Sequence, residues 1–194
     1  MVASPQTKLD ASPVARGGEA DVRTEFGVFH LLGYRDAEGL EHLAAVKGEI
    51  RGSEAVLCRV HSECLTGEVF RSRRCDCGAQ LDLALQRVEA AGAGVVVYLR
   101  QEGRGIGLSN KLRAYALQDA GADTLEANLA LGFPGDLRRY DVAAAILADL
   151  GVRSVRLLTN NPTKLEGVQR AGVVVSERLP HLVTPHDDNR GYLA

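Results

Sequence analysis

The chain has 194 residues, 45% hydrophobic and 25% charged, with a net charge of -2. These values suit a globular protein whose core stands without disulfide staples, and they leave no basic excess for nucleic acid or an acidic membrane surface. No apolar run reaches the roughly 18 residues of a membrane span, and no signal-peptide pattern opens the chain, so a cytoplasmic protein is expected.

Residues 1–20 are rich in Ala, Ser, Pro and Gly and read as a mobile leader, with 21–194 as a single domain. Runs at Gly27–Gly33, His42–Val46 and Ala55–His61 alternate with turn-forming residues and predict strands. Leu81, Leu85 and Val88 recur at helical spacing up to Gly92. Val95–Leu99 predicts a buried strand. Ser109 is placed to cap a helix running through Ala120 to Gly121. Tyr140–Leu150 predicts a further helix, Val155–Leu158 a strand, and Asn160-Asn161-Pro162 the start of a helix ending near Gly172. Val173–Val175 predicts a last strand. The alternation argues for an α/β fold with layered mixed sheets and helices. Its strand-rich N-terminal part is expected to form a second, mixed or antiparallel sheet.

Four cysteines in a cytosolic chain are poor candidates for structural disulfides. Cys64, Cys75 and Cys77 crowd together with the spacing C-x10-C-x-C. Zinc takes thiolate ligands and prefers a tetrahedron, so three protein ligands leave one position open, as in catalytic sites. His61 or Cys58 could instead close the shell and make the site structural. Cys58 lies in an alternating apolar run and also reads as a core residue.

Other segments suit a phosphate. Arg100-Gln-Glu102-Gly103-Arg104-Gly-Ile-Gly follows a predicted strand, with Lys111 further on. Glycines let backbone approach a ligand, and a helix start favours an anion. Arg104 and Lys111 favour phosphate over a plain turn. Thr159-Asn-Asn-Pro-Thr-Lys164 sits where a strand gives way to a helix, a position where α/β folds bind ligands, although a capped helix with a solvated lysine fits equally. Asp136 is read from spacing alone as a cap of the next helix, and Arg138 as a surface charge.

Together these segments resemble GTP cyclohydrolase II of riboflavin synthesis. The matching pieces are RVHSECLTGEVF at 59–70, RCDCG at 74–78, RQEGRGIGL at 100–108, NKLRAYALQDAGADTLEAN at 110–128, LGFPGDLRRY at 131–140 and LLTNNPTK at 157–164. Bifunctional relatives carry an added dihydroxybutanone phosphate synthase, and at 194 residues the monofunctional form is expected. The resemblance implies zinc on Cys64, Cys75 and Cys77, magnesium with the triphosphate, and a homodimer. It implies GTP contacts from Arg59, Val60, His61, Ser62, Glu63, Gln80, Glu102, Gly103, Arg104, Thr124, Thr159 and Lys164. Asp136 resembles the family's proton acceptor, Arg138 its proposed nucleophile, and Tyr115 the tyrosine near the zinc water. The implied reaction opens the guanine imidazole ring at C8. It yields 2,5-diamino-6-ribosylamino-4(3H)-pyrimidinone 5′-phosphate, formate and pyrophosphate. Glu63 could take a proton or bind the base, or simply pair with a cation.

Overall fold

A computed structural model of the chain describes residues 13–121 and 124–184. Seven strands form one sheet: β1 (Val14–Thr24), β2 (Gly27–Asp36), β3 (Glu41–Lys47), β4 (Val56–Ser62), β5 (Gly94–Leu99), β6 (Val155–Leu158) and β7 (Val175–Leu179). Their spatial order is β1-β2-β3-β5-β4-β6-β7. The first three strands form an antiparallel meander, and β3 continues it antiparallel onto β5. From β5 across β4 and β6 to β7 the pairing is parallel.

The expected α/β architecture is therefore present, but the separate N-terminal sheet is not. Pairing of Leu43–Lys47 with Gly94–Tyr98 fuses the meander to the parallel half. The expected leader is also corrected at its end. Residues 14–20 belong to β1, because their backbone groups pair with β2, even though most of their side chains are exposed. Residues 1–12 lie outside the described residues.

Helices α1 (Leu65–Glu68) and α2 (Cys77–Ala91) follow β4, and α3 (Leu108–Asp119) and α4 (Thr124–Ala130) follow β5. Helix α5 (Asp141–Asp149) precedes β6, and α6 (Pro162–Arg170) joins β6 to β7. The period-2 alternation of strand side chains divides the core between two faces. Val56, Cys58 and Val60 of β4, with Val95, Val97 and Leu99 of β5, join Val142, Ile146 and Val168 of α5 and α6. Leu57 and Val96 point the other way, against Ala84 and Val88 of α2. Each fully buried side chain of Leu, Ile, Val or Phe type contributes about 1.5–3 kcal/mol.

Two boundaries differ from those expected. Ser109 does not cap α3. Gly107, at φ 82°, occupies the N-cap, which places Ser109 inside the first turn. β7 runs from Val175 to Leu179 rather than over 173–175. The Val173 amide is spent on the Val168 carbonyl as the chain leaves α6, so pairing with β6 begins only at Val175. Asn161 does cap α6: its Oδ1 accepts the Lys164 amide at 3.2 Å, with Pro162 following in the first turn.

Candidate functional site

The parallel strands β4, β5 and β6 end together, and the segments that leave them supply the site. Residues from all three segments, among them Arg59, His61, Cys64, Glu102, Arg104 and Lys164, line one cleft of about 260 Å³. Placement beyond the C-terminal ends of parallel strands follows the general rule for α/β sheets.

The cysteines converge because two helices meet there. Cys64 precedes α1, Cys77 opens α2, and Cys75 lies just before it. Their sulfurs all lie within 4.8 Å of one another, and the Cys64 and Cys75 sulfurs are 3.7 Å apart. Two glycines permit this approach. A Cβ on Gly67 would sit 2.8 Å from the Cys75 sulfur, and one on Gly78 would sit 2.4 Å from the Gly67 carbonyl oxygen. Gly78→Ala is expected to push α2 off α1, costing about 1–3 kcal/mol. Thermal unfolding and zinc titration against a chelator check this, with both stability and zinc affinity expected to fall.

Three clustered thiols suit a soft, tetrahedral ion such as zinc. Hydrogen bonds from Cys75 and Cys77, aided by Lys111, hold the Cys64 thiol well below its ordinary pKa. The remaining candidates for a fourth ligand are turned elsewhere. His61 Nε2 lies 2.7 Å from Glu68 Oε1. Cys58 is fully buried in the core, and burial pushes its thiol up to about 12.

Glu68 escaped the sequence reading. Its carboxylate receives the Cys64 amide at 2.9 Å, His61 Nε2, and the Tyr98 hydroxyl at 2.5 Å. It thus fixes both Cys64 and the imidazole stacked on Tyr98. The available signal was a glutamate four residues beyond a candidate ligand on a helical turn. Tyr115 lies in the cleft beneath the Arg74 guanidinium, which is 4.5 Å from its ring. Burial raises the Tyr115 phenol above its ordinary pKa, against opposing effects of Thr66 and Lys111.

Two buried cationic side chains also line the cleft. Arg59 is buried, donating to the Leu158 carbonyl at 2.7 Å and to Gln80 Oε1 at 2.5 Å. Its Nε is buried without a partner among the described residues. Lys164 is buried too, and its Nζ donates to the Val60 carbonyl at 2.8 Å. Both spend these bonds on neutral oxygens. Burial lowers Arg59 to about 10, and burial with the nearby charges of Arg59 and Arg138 drives Lys164 well below an ordinary amine. Thr159 is also buried there, its Oγ1 accepting the Asn161 amide at 3.1 Å.

Other expected residues are placed differently. Asp136 does not cap α5, which begins at Asp141; its carboxylate takes the backbone amide and Nε of Arg138 instead. Arg138 is correspondingly no solvated charge, because its side chain is only 13% exposed. Glu63 lines the cleft and pairs with Arg100 Nε at 2.8 Å. Ser62 Oγ accepts from Gln101 Nε2 at 2.8 Å. Glu102 is spent on the Leu65 and Gly103 amides and on Lys111. Lys111, expected beside a phosphate, reaches Cys64 instead, with its Nζ 3.0 Å from the sulfur. Gly103 and Arg104 both hold left-handed backbone, at φ 63° and 60°. Such a conformation costs a non-glycine residue about 1–2 kcal/mol, a strain typical of ligand loops. Thr124 opens α4, and its side chain lies outside the described residues.

A buried pair anchors this loop from behind. His42 Nδ1 accepts the Arg100 amide at 3.1 Å, so Nε2 carries the proton and faces Asp36 Oδ2 at 3.1 Å. Burial alone would raise Asp36, but hydrogen bonds from His42 and the Leu40 amide outweigh it and hold the carboxyl below its ordinary value. A depressed carboxyl stabilises the fold above its unfolded pKa of about 3.9, and that contribution disappears as pH falls through the folded value. Asp36→Asn is therefore expected to cost about 1–2 kcal/mol at neutral pH. Denaturant titration at several pH values should show the gap from the parent chain closing below about pH 4.

A family model described as GTP cyclohydrolase II matches residues 15–180. Riboflavin biosynthesis protein RibBA from Bacillus cereus (strain ATCC 14579) is 56% identical over 181 residues, as is that from Bacillus mycoides (strain KBAB4). Each match covers 93% of this chain and 46% of the relative, so the chain spans about half the length of these relatives. The fold is also similar to a crystal structure of RibBX, a two-domain 3,4-dihydroxy-2-butanone 4-phosphate synthase from A. baumannii. That match has a TM-score of 0.50 and 25% identity, covering 88% of this chain and 41% of that one.

Proposed function

The chain belongs to the GTP cyclohydrolase II family, and from that premise we propose that it hydrolyses GTP to 2,5-diamino-6-ribosylamino-4(3H)-pyrimidinone 5′-phosphate, formate and pyrophosphate. Zinc on Cys64, Cys75 and Cys77 and magnesium on the triphosphate belong to this reading, as does a cytoplasmic homodimer. One observation carries it: three metal-competent thiols share a cleft with buried cations, Arg59 and Lys164, whose observed partners are neutral oxygens. Buried charges are costly unless compensated, so an anionic ligand is the natural complement.

The chemistry divides along the cleft. A zinc ion on the thiolates would supply Lewis acidity and an activated water. Tyr115 keeps its phenolic proton at neutral pH and would donate it to a departing ring nitrogen. Arg59, Lys164 and Thr159 hold phosphate oxygens, with Val60, Arg104, Gly103 and Thr124 completing the nucleotide contacts. Gln80 presents its amide in a fixed orientation, because Oε1 accepts from Arg59 and Nε2 donates to Asp76 Oδ2 at 2.6 Å. His61, Ser62, Glu63 and Glu102 shape the wall by the bonds described above. Arg138 lies against the α-phosphate as an electrostatic clamp, oriented by Asp136. The test is pyrophosphate release from GTP, abolished by a chelator and restored by zinc. Binding of GTP without turnover in zinc-loaded protein would instead mark a nucleotide sensor.

A further inference from the structure

Lys111 stands out as a buried ammonium in contact with a sulfur. Its Nζ lies 3.0 Å from Cys64 Sγ and 2.7 Å from Glu102 Oε1, and the residue is 8% exposed. The contact is held from several sides. Glu102 Oε2 takes the Leu65 amide at 2.7 Å, one residue beyond Cys64, and Oε1 takes the Gly103 amide at 2.8 Å. Two backbone bonds therefore fix the carboxylate, and the carboxylate fixes the lysine. A Cβ on Gly103 would lie 3.0 Å from Lys111 Cβ, so the glycine-rich loop makes room for the lysine stem.

We infer that Lys111 is a positioning residue of the metal site, donating N–H to the Cys64 sulfur so that a thiolate-bound ion remains a strong Lewis acid. The inference rests on the zinc reading proposed above. Three thiolates around a dication leave one net negative charge, whereas three neutral imidazoles leave two positive charges. Thiolates give electron density to the ion and weaken its pull on an oxygen ligand. A cationic N–H donor on one sulfur draws some of that density back, as partners of ligating residues commonly do. Glu102 keeps the ammonium on the sulfur. A purely structural Lys111–Glu102 ion pair would have no such effect on the ion.

The full chain loaded with cobalt(II) tests this, because the sulfur-to-cobalt charge-transfer band reports electron donation directly. In Lys111→Met the band should move to longer wavelength, since a sulfur without its N–H donor gives up electrons more readily. Turnover of GTP by the zinc form should fall about 10–100-fold, with KM changed little. Lys111→Arg, which keeps a cationic donor, should retain a band near that of the parent. Should the Met variant fail to fold, Lys111→Gln is read in its place, with a smaller shift in the same direction. A band unmoved in metal-loaded Met or Gln protein reduces Lys111 to a structural ion pair and overturns the inference. A parent chain that binds no cobalt or zinc overturns the metal site itself, and the inference with it.

Discussion

Cys75→Ser is expected to lose its metal and to cut GTP turnover at least about a thousandfold. Lewis-acid stabilisation is worth several kcal/mol, and each 1.36 kcal/mol is tenfold in rate, so about 4 kcal/mol sets this lower bound. A serine oxygen is a harder and shorter donor than the Cys75 sulfur, which lies 3.7 Å from that of Cys64, and only two soft ligands would remain. Metal content and steady-state rate measured on one preparation check the prediction. Cys58→Ser is the matched control. Cys58 is fully buried among apolar side chains, so its variant should lose about 1–3 kcal/mol of stability yet keep its metal. Full activity in Cys75→Ser would sink the zinc assignment.

Arg138→Ala is expected to lower turnover about 10²–10³-fold, the scale for removal of one preorganised electrostatic partner. Rapid-quench analysis should find no covalent nucleotidyl-enzyme in the parent chain. The geometry gives the reason. Arg138 donates to Asp136 through Nε at 2.9 and 3.0 Å, and through its Nη2 as well. Burial alone would raise the Asp136 carboxyl, but the bonds from Arg138 hold it below the usual carboxylate range. A carboxylate that weak as a base does not strip a proton from a guanidinium, whose ordinary pKa exceeds about 12. On the function proposed above, the ion pair orients a cation rather than creating a nucleophile. An adduct trapped with label from the α-phosphate would restore the covalent role.

The parts legible in the sequence were those set by local pattern. Val95–Leu99 announced a buried strand because a run of apolar, β-branched residues has few other uses. The start of α6 was visible in Asn161-Pro162, a cap and a first-turn proline. The cysteine spacing exposed the thiol cluster, because short-range crowding survives folding. What escaped was set by distant partners. Nothing near Leu43 says that it pairs with Tyr98, so the meander looked like its own sheet. Lys111 read as a phosphate ligand because its neighbours are glycines and arginines, yet a glutamate nine positions earlier turns it onto a cysteine 47 positions away. Asp136 looked like a helix cap until Arg138, two residues on, proved to occupy its carboxylate. Short polar side chains satisfy whichever donor the fold brings nearest, and spacing alone does not name it.

The most direct measurement is mass analysis of the products formed from GTP with zinc and magnesium, beside a chelated control. The expected result is one formate and one pyrophosphate per GTP, with the diaminopyrimidinone nucleoside monophosphate as the third product and none of them in the control. A formamide-retaining nucleotide, or the same products in the chelated sample, would contradict it.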